Sequence, residues 1–169
     1  GNLDTGMTAI VVADTSSPMV ICPSDTVICQ GSSVSNEVEY SDNCGASLVY
    51  TGPDTEPIEV QGDSSFVQTW EVTDPSGNLT MCSRTVDVQY APPVTIEQDG
   101  MESATLFCFK VTTEDSPVSY QWSTGSTDST ECAEDGLLIV EVVYANGCSR
   151  TDEFDVDAIL GTEQSALNG

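Results

Sequence analysis

Residues 66–88, FVQTWEVTDPSGNLTMCSRTVDV, have the pattern of a β-hairpin. Alternate positions share one face in each half of this stretch, as expected of strands: Phe66, Gln68, Trp70 and Val72, then Cys82, Arg84, Val86 and Val88. Between the halves, residues 74–78 (DPSGN) combine a proline that presets φ with a glycine that permits positive φ. The stretch therefore predicts two long antiparallel strands joined by a tight turn.

The closing half of this hairpin has two relatives elsewhere in the chain. Residues 1–14, GNLDTGMTAIVVAD, align with GNLTMCSRTVDV, and the tetrapeptide CSRT recurs at 148–151. Closing strands at a spacing of about 75 residues predict a tandem array of small domains. We expect residues 1–14 to be the closing strand of a preceding repeat plus a linker. Its apolar part, residues 7–13, should pair with a neighbouring repeat or another subunit, because a lone strand exposes unpaired backbone groups.

The rest of the chain divides at two proline-containing junctions. We predict domains at 15–90 and 91–158 and a C-terminal tail or linker at 159–169; Pro92 and Pro93 would stiffen the joint between the domains. Strand-like stretches recur throughout both domains, including an edge strand near Ile58 and Val60, and no helical periodicity stands out. The predicted fold class is all-β.

Composition excludes several classes of partner. The chain has 28 acidic and three basic residues and a formal charge of −25, which leaves no basic surface for nucleic acid or anionic lipid. No apolar run reaches the roughly 20 residues of a membrane helix, so we expect no direct membrane insertion. Seven cysteines indicate an oxidising, extracellular compartment. A zinc site is the competing interpretation, but the chain has neither histidine nor a CxxC pair.

The same composition argues against catalysis. Without histidine the chain lacks the usual general base and the triads that depend on it. A pair of carboxylates could act as in glycosidases, but sandwiches this small rarely enclose a substrate cleft. We expect no enzyme activity.

Several motifs in the first domain occur in a fixed order. They are Asp14, Pro18, residues 21–23 (ICP), 42–44 (DNC), 73–78 (TDPSGN) and 82–83 (CS). In this order the segment 14–90 resembles the hyalin repeat (HYR), an immunoglobulin-like extracellular module. Arg84 departs from the family, which often has an aromatic or apolar residue there. The resemblance implies tandem immunoglobulin-like β-sandwiches.

The second domain contains YQWSTGS at 120–126 and NGCS at 146–149. Here it resembles the immunoglobulin-like repeats of Bacteroidota surface proteins, which implies that Trp122 is the core tryptophan of a central strand. In such proteins a small polar tail like 158–169 often precedes a sorting domain for type IX secretion. The resemblance places the chain in a secreted, cell-surface or filament protein.

Disulfide pairing follows from these resemblances. In the hyalin repeat the cysteine of CP meets the cysteine after GN, which implies Cys22–Cys82 and then Cys29–Cys44. Cys108 and Cys132 stand where the second family does not usually have cysteine, which suggests that they pair across neighbouring strands and leave Cys148 unpaired. The alternative is Cys108–Cys148.

Four oxygen-bearing residues in loops form a candidate calcium site. Asp14, Asp42 and Asp74 could converge at a domain junction, with Asn78 adding a carbonyl, because hard cations take several oxygen ligands. The alternative is that these residues only cap turns.

Candidate O-glycosylation sites follow a Bacteroidota pattern of Asp, then Ser or Thr, then an apolar residue or Thr. Thr26 and Ser129 fit it, and Thr15, Thr55 and Ser64 fit it loosely.

Three functions remain open at this point. The first is a structural, non-catalytic segment of an extracellular adhesin or filament. The second is a module whose loops bind glycans or host and cell-surface proteins, which an exposed aromatic cluster would favour. The third is a filament subunit that polymerises by donating a strand. The few aromatic residues in predicted loops favour the first.

Overall fold

The computed structural model describes residues 1, 6–7, 9, 12–53 and 56–159, which form twelve β-strands and one helical turn at 157–159. The strands are β1 (Met19–Ile21), β2 (Thr26–Cys29), β3 (Glu39–Ser41), β4 (Ser47–Thr51), β5 (Ser64–Thr73), β6 (Leu79–Gln89), β7 (Val94–Met101), β8 (Phe107–Thr113), β9 (Ser119–Trp122), β10 (Thr130–Ala133), β11 (Leu137–Val143) and β12 (Ser149–Asp155). Nowhere in this described part does a helix have the length and apolarity to cross a membrane.

Contacts between residues divide the chain into two compact units that are not contiguous in sequence. The first comprises Gly1–Thr26, Ser33–Glu56 and Ser65–Asp87, and the second comprises Val27–Ser32, Pro57–Ser64 and Val88–Gly169. By their contacts, three short segments within residues 15–90 group with the second unit: Val27–Ser32, Pro57–Ser64 and residues 88–90. The domain boundaries stay a prediction.

The hairpin at 66–88 forms the centre of the first unit. β5 and β6 are neighbours in a four-stranded sheet of order β2-β6-β5-β4, and β4 pairs antiparallel with β5 so that Tyr50 lies opposite Trp70. The side chains of Trp70 and Val72 are fully buried. At the turn, Asp74 N donates to Asn78 O at 3.1 Å, and Gly77 has the positive φ (90°) for which glycine is suited. β1 and β3 form a separate antiparallel pair.

Arg84 closes one end of this core with a polar network. Its Nε donates to Gln68 Oε1 at 2.6 Å, and a second guanidinium nitrogen donates to Ser35 O at 2.8 Å. Gln68, which is fully buried, donates from Nε2 to the Tyr50 hydroxyl at 2.8 Å. The guanidinium also lies 5.8 Å from the centroid of the Trp70 ring. Both ends of the buried amide are therefore satisfied.

The second unit is a β-sandwich of two three-stranded sheets. Their orders are β10-β8-β7 and β12-β11-β9, and all the pairings within them are antiparallel. The core contains Ile96, Phe107 and Phe109 from one sheet and Trp122, Leu138, Val140 and Val142 from the other. The prediction of an all-β chain is confirmed, and the second unit has the predicted sandwich architecture.

Two details of the predicted strands are wrong. No strand forms near Ile58 and Val60, because the backbone of Ile58 bonds instead to the turn after β2: Gly31 N donates to Ile58 O at 2.9 Å and Ile58 N donates to Ser32 O at 3.0 Å. Trp122 is a core residue as expected, but its strand β9 lies at the end of its sheet, with β11 in the centre.

The predicted strand at residues 7–13 lies partly outside the described residues, which omit 8, 10 and 11. Among its described members, Met7 and Val12 have exposures of 101% and 89% and belong to no strand. Pairing of this segment with another repeat or subunit stays a prediction.

Two of the predicted disulfide bonds are present. Cys22 at the end of β1 is bonded to Cys82 in β6. Cys108 and Cys132 are bonded to each other and lie directly opposite in the pairing of β8 with β10, as expected for neighbouring strands.

The other two cysteine assignments are wrong. Cys29 is bonded to Cys148 across a sequence separation of 119, and Cys44 is the exposed free cysteine. The physical reason is that β2 ends in the second unit, where Cys29 packs against the same core that buries Cys148. Cys44 lies in the first unit, although it is nearer to Cys29 in sequence.

Candidate metal site

Three aspartates from separate loops of the first unit converge on one point. Asp14 precedes β1, Asp42 follows β3, and Asp74 begins the turn between β5 and β6. Each offers a carboxylate oxygen, and these oxygens lie within 4.8 Å of one another. The structure thus brings together the three aspartates that the sequence singled out.

Each aspartate is held by a hydrogen bond to its own loop. Ser16 N donates to Asp14 Oδ1 at 2.9 Å, Cys44 N to Asp42 Oδ1 at 2.9 Å, and Asn78 N to Asp74 Oδ1 at 2.8 Å. All three therefore cap turns, as the alternative interpretation expected. Capping occupies one carboxylate oxygen of Asp14 and one of Asp42. The second oxygen of each residue can still bind a cation.

Asn78 has a different role from the predicted one. Its amide nitrogen donates to Asp74 Oδ2 at 2.7 Å and to the backbone oxygen of Asp14 at 3.1 Å. Asn78 therefore positions two members of the cluster as a donor, and does not turn its amide oxygen toward them.

Hydrogen bonds lower the pKa of two carboxyls of the cluster, Asp14 and Asp74. The backbone hydrogen bond from Ser16 lowers the pKa of the Asp14 carboxyl, and the side chains of Cys44 and Asn43 lower it further. Burial raises the pKa of Asp74, which is only 4% exposed, but the hydrogen bonds from Asn78 and the turn backbone outweigh burial and leave it lowered. Both carboxyls are therefore negatively charged at neutral pH.

Cys44 is a neighbour of the cluster that the sequence did not predict. A hydrogen bond to the Asp14 carboxylate and the charge of Asp14 raise the pKa of the Cys44 thiol, with smaller effects from desolvation, Asp42 and Asp74. The one signal in the sequence was its position two residues after Asp42. The thiol is thus a weak nucleophile at neutral pH.

The cluster fits a hard divalent cation. Ligands of one Ca²⁺ lie about 2.3–2.6 Å from the ion and hence at most about 5 Å apart, which the carboxylate spacing of 4.8 Å satisfies. Asp14 Oδ2 is also buried without a hydrogen-bond partner in the described residues. A cation would neutralise that oxygen and the mutual repulsion of the carboxylates. A second cluster, Glu102 with Cys108 and Cys132, offers no thiolate while its two cysteines are bonded to each other.

The aromatic residues do not form a sugar-binding platform. Trp70 and Trp122 are buried, and Tyr40, at 41%, is the most exposed aromatic side chain. An open groove of about 670 Å³ in the first unit is lined by Ser35, Asn36, Glu37, Val38, Glu39, Leu48 and Tyr50. It offers two carboxylates and one half-buried tyrosine ring.

The candidate glycosylation residues differ in accessibility. Ser129, Thr15 and Ser64 are exposed, whereas Thr26 is half-buried in β2; Thr55 lies outside the described residues. Ser129 also accepts a backbone hydrogen bond from Val111 N at 3.1 Å, which uses its carbonyl and leaves its hydroxyl available.

The chain matches no protein-family model and no curated protein in sequence. Among solved structures it is similar to the N-terminal eight Ig domains of Down Syndrome Cell Adhesion Molecule, with a TM-score of 0.48 and 12% identity over 82% of this chain and 27% of that one. It is also similar to an I-band fragment of titin, with a TM-score of 0.39 and 12% identity over 84% and 66% of the two chains.

A third similar structure is the Bacteroides ovatus mixed-linkage glucan utilization locus protein SGBP-B, in complex with a mixed-linkage heptasaccharide. Its TM-score is 0.35, with 11% identity over 85% of this chain and 48% of that one. The chain spans less than two thirds of the length of each of these three structures. Likeness at this level of identity concerns the fold alone.

Proposed function

We propose that this chain is a structural, non-catalytic segment of an extracellular cell-surface adhesin or filament built of tandem immunoglobulin-like repeats. The observation that carries the proposal is the disulfide framework: six of the seven cysteines are bonded, and Cys22–Cys82 ties the opening strand of the first unit to its closing hairpin. Small domains stapled in this way are typical of oxidising, extracellular compartments.

The proposal of a surface adhesin or filament, as distinct from any other extracellular protein, rests on the resemblance to hyalin repeats and to Bacteroidota surface repeats. The spacing of their motifs, the buried Trp122 and the formal charge of −25 are all compatible with a soluble, repetitive surface protein exported by type IX secretion. Glycosylation at Thr26 or Ser129, and at Thr15, Thr55 or Ser64, belongs to the same proposal. Peptide mass spectrometry of native material would find these five residues unmodified if the glycosylation proposal is wrong.

Labelling of intact source cells tests the proposed location. A membrane-impermeant amine reagent should modify Lys110, whose side chain is 42% exposed beside Asp99, before the cells are lysed. Modification seen only after lysis would contradict a surface location.

The alternative functions receive less support. A glycan- or protein-binding role would use loop surfaces, but the groove beside Tyr50 lacks an exposed aromatic platform. Polymerisation by strand donation would use residues 7–13, whose described members Met7 and Val12 are exposed. Dimerisation or polymerisation of the purified chain, abolished by deleting residues 1–13, would favour strand donation.

Calcium binding is a second proposed function, and the convergence of Asp14, Asp42 and Asp74 supports it. Extracellular calcium modules bind with dissociation constants of about 10⁻⁴–10⁻³ M. Saturation at about 10 mM Ca²⁺ would then stabilise the fold by roughly 1.5–3 kcal/mol. In this role the ion would join the linker before β1 to two other loops of the first unit.

Calorimetric titration with CaCl₂ tests this second function with matched variants. Asp42→Asn keeps an oxygen that can accept from Cys44 N but removes one charge, so calcium affinity should fall at least about tenfold. Asp87→Asn removes an exposed charge from β6 and should bind like the wild type. Absence of binding heat from the wild-type chain at about 10 mM Ca²⁺ would remove the calcium proposal.

A further inference from the structure

We propose that the Cys29–Cys148 disulfide is a covalent bypass that carries tension past most of the chain, so that residues 30–147 cannot be extended by a force on its ends. The inference rests on the proposed function as a structural segment, since only a segment under tension would use it. It follows from which residues are bonded, and from their positions along the chain.

The shortest covalent path from one end of the chain to the other passes through this bond. It runs from the N-terminus to Cys29, across the disulfide, and from Cys148 to the C-terminus. The loop outside that path has a sequence separation of 119 and contains strands β3 to β11. Tension applied at the ends therefore does not reach the hydrogen bonds between those strands.

The other two disulfides do not carry tension in the intact chain. Cys108–Cys132 lies wholly within the loop. Cys22–Cys82 joins a residue on the path to a residue in the loop, and the direct backbone from Cys22 to Cys29 is shorter than any route through Cys82. The pairing inferred from the hyalin resemblance is therefore a local staple, and the bypass is the bond that the resemblance did not imply.

The attachment points of the bypass are well anchored in the second unit. Cys148 is fully buried, and its backbone N–H donates to Asn146 Oδ1 at 3.0 Å. On the other side, Gln30 N donates to Gln89 O at 2.9 Å directly after Cys29. The sulfur of Cys148 is shielded from a reducing agent while the unit is folded, whereas Cys29 is half-buried.

What remains extensible is short. On the path, the folded residues lie at about 14–29 and 148–159, roughly 30 residues or about 100 Å at full extension. β12 is the main element among them, and it pairs with β11 at the end of its sheet. Reduction of all three disulfides would add the whole loop, roughly 400 Å.

Single-molecule pulling on the two ends of the full chain tests the bypass. The oxidised wild type should lengthen by no more than about 100 Å, and the chain pulled in a phosphine reductant by roughly 400 Å more. The double variant Cys29→Ser, Cys148→Ser should release about 35 further residues, roughly 120 Å, because the two remaining disulfides still bypass their own loops.

The variant Cys22→Ser, Cys82→Ser is the matched control. It should lengthen like the wild type even if its first unit is unfolded, because the loop stays closed at Cys29 and Cys148. Extension of the oxidised wild type by several hundred ångströms would overturn the bypass. This result does not depend on where the protein is located. A chain found only inside cells would instead overturn the proposed function and leave the pulling result unchanged.

Discussion

At the scale of single residues, Asp74 links the stability of the hairpin to the candidate metal site. Its carboxylate accepts two hydrogen bonds from Asn78, and its pKa is lowered in the folded chain despite burial. A folded pKa below the unfolded value of about 3.9 means that the ionised group stabilises the fold above that pH. This contribution is lost as the pH falls through the folded pKa.

We therefore expect Asp74→Asn to lower the melting temperature at pH 6–7 in EDTA, and the difference from the wild type to shrink below about pH 4. Thermal unfolding, monitored by circular dichroism between about pH 3 and pH 7, measures the melting temperatures of the variant and the wild type. Asp87→Asn, an exposed aspartate on β6, serves as the control for charge alone. A difference that grows on acidification would contradict the lowered pKa of Asp74.

Cys44 reports on the charge of the cluster. Since the hydrogen bond and charge of Asp14 raise the pKa of its thiol, Asp14→Asn should lower that pKa and speed alkylation at pH 8 several-fold. Saturating calcium should act in the same direction on the wild type, because a bound cation offsets the carboxylate charges. Alkylation with iodoacetamide, quenched at successive times, gives the reaction rates. An unchanged rate in Asp14→Asn would show that the Asp14 carboxylate does not affect the reactivity of the Cys44 thiol.

The sequence predicted the three aspartates of the site but not how their neighbours behave. The sequence placed Asp14 in a linker and Asp42 and Asp74 in loops, and indicated that the three could converge at a domain junction. Which amide atom Asn78 turns inward depends on the donors and acceptors around it, which only the folded loops define. The position of Cys44 beside Asp14 is a contact between distant loops, and its place two residues after Asp42 does not specify that contact.

At the scale of elements, the hairpin of β5 and β6 is the main source of stability in the first unit. Trp70 is fully buried, and its indole N–H donates to Asn36 O at 2.7 Å. Trp70→Ala should destabilise the oxidised chain by about 3–5 kcal/mol, because it leaves a large cavity. Val67→Ala, at an exposed position of the same strand, should cost no more than about 1 kcal/mol. Urea denaturation compares them, and equal costs would contradict the central position of Trp70.

Strand positions were predictable wherever alternation was regular. β5 and β6 form the hairpin predicted at 66–88, and the residues predicted to share its inward faces are buried or half-buried. The pattern failed near Ile58, whose backbone groups bond to the turn at 31–32. The β-propensity of a short apolar stretch does not distinguish an edge strand from a loop that is hydrogen-bonded to a distant turn.

At the scale of the whole molecule, the disulfide framework decides how the chain responds to force. The family resemblance implied Cys22–Cys82 from the cysteines of CP and after GN, and then Cys29–Cys44. The bond from Cys29 to Cys148 joins residues 119 positions apart, so no pattern within a single repeat could indicate it. The grouping of segments 27–32 and 57–64 with the second unit was equally hidden from the sequence.

A disulfide map of the native protein tests the account most directly. Material purified from its source under non-reducing conditions is alkylated, digested and analysed by mass spectrometry. The account predicts linked peptides for Cys22–Cys82, Cys29–Cys148 and Cys108–Cys132, with alkylation at Cys44 alone. Alkylation of all seven cysteines would contradict the oxidising, extracellular location, and a peptide linking Cys29 to Cys44 would contradict the covalent bypass.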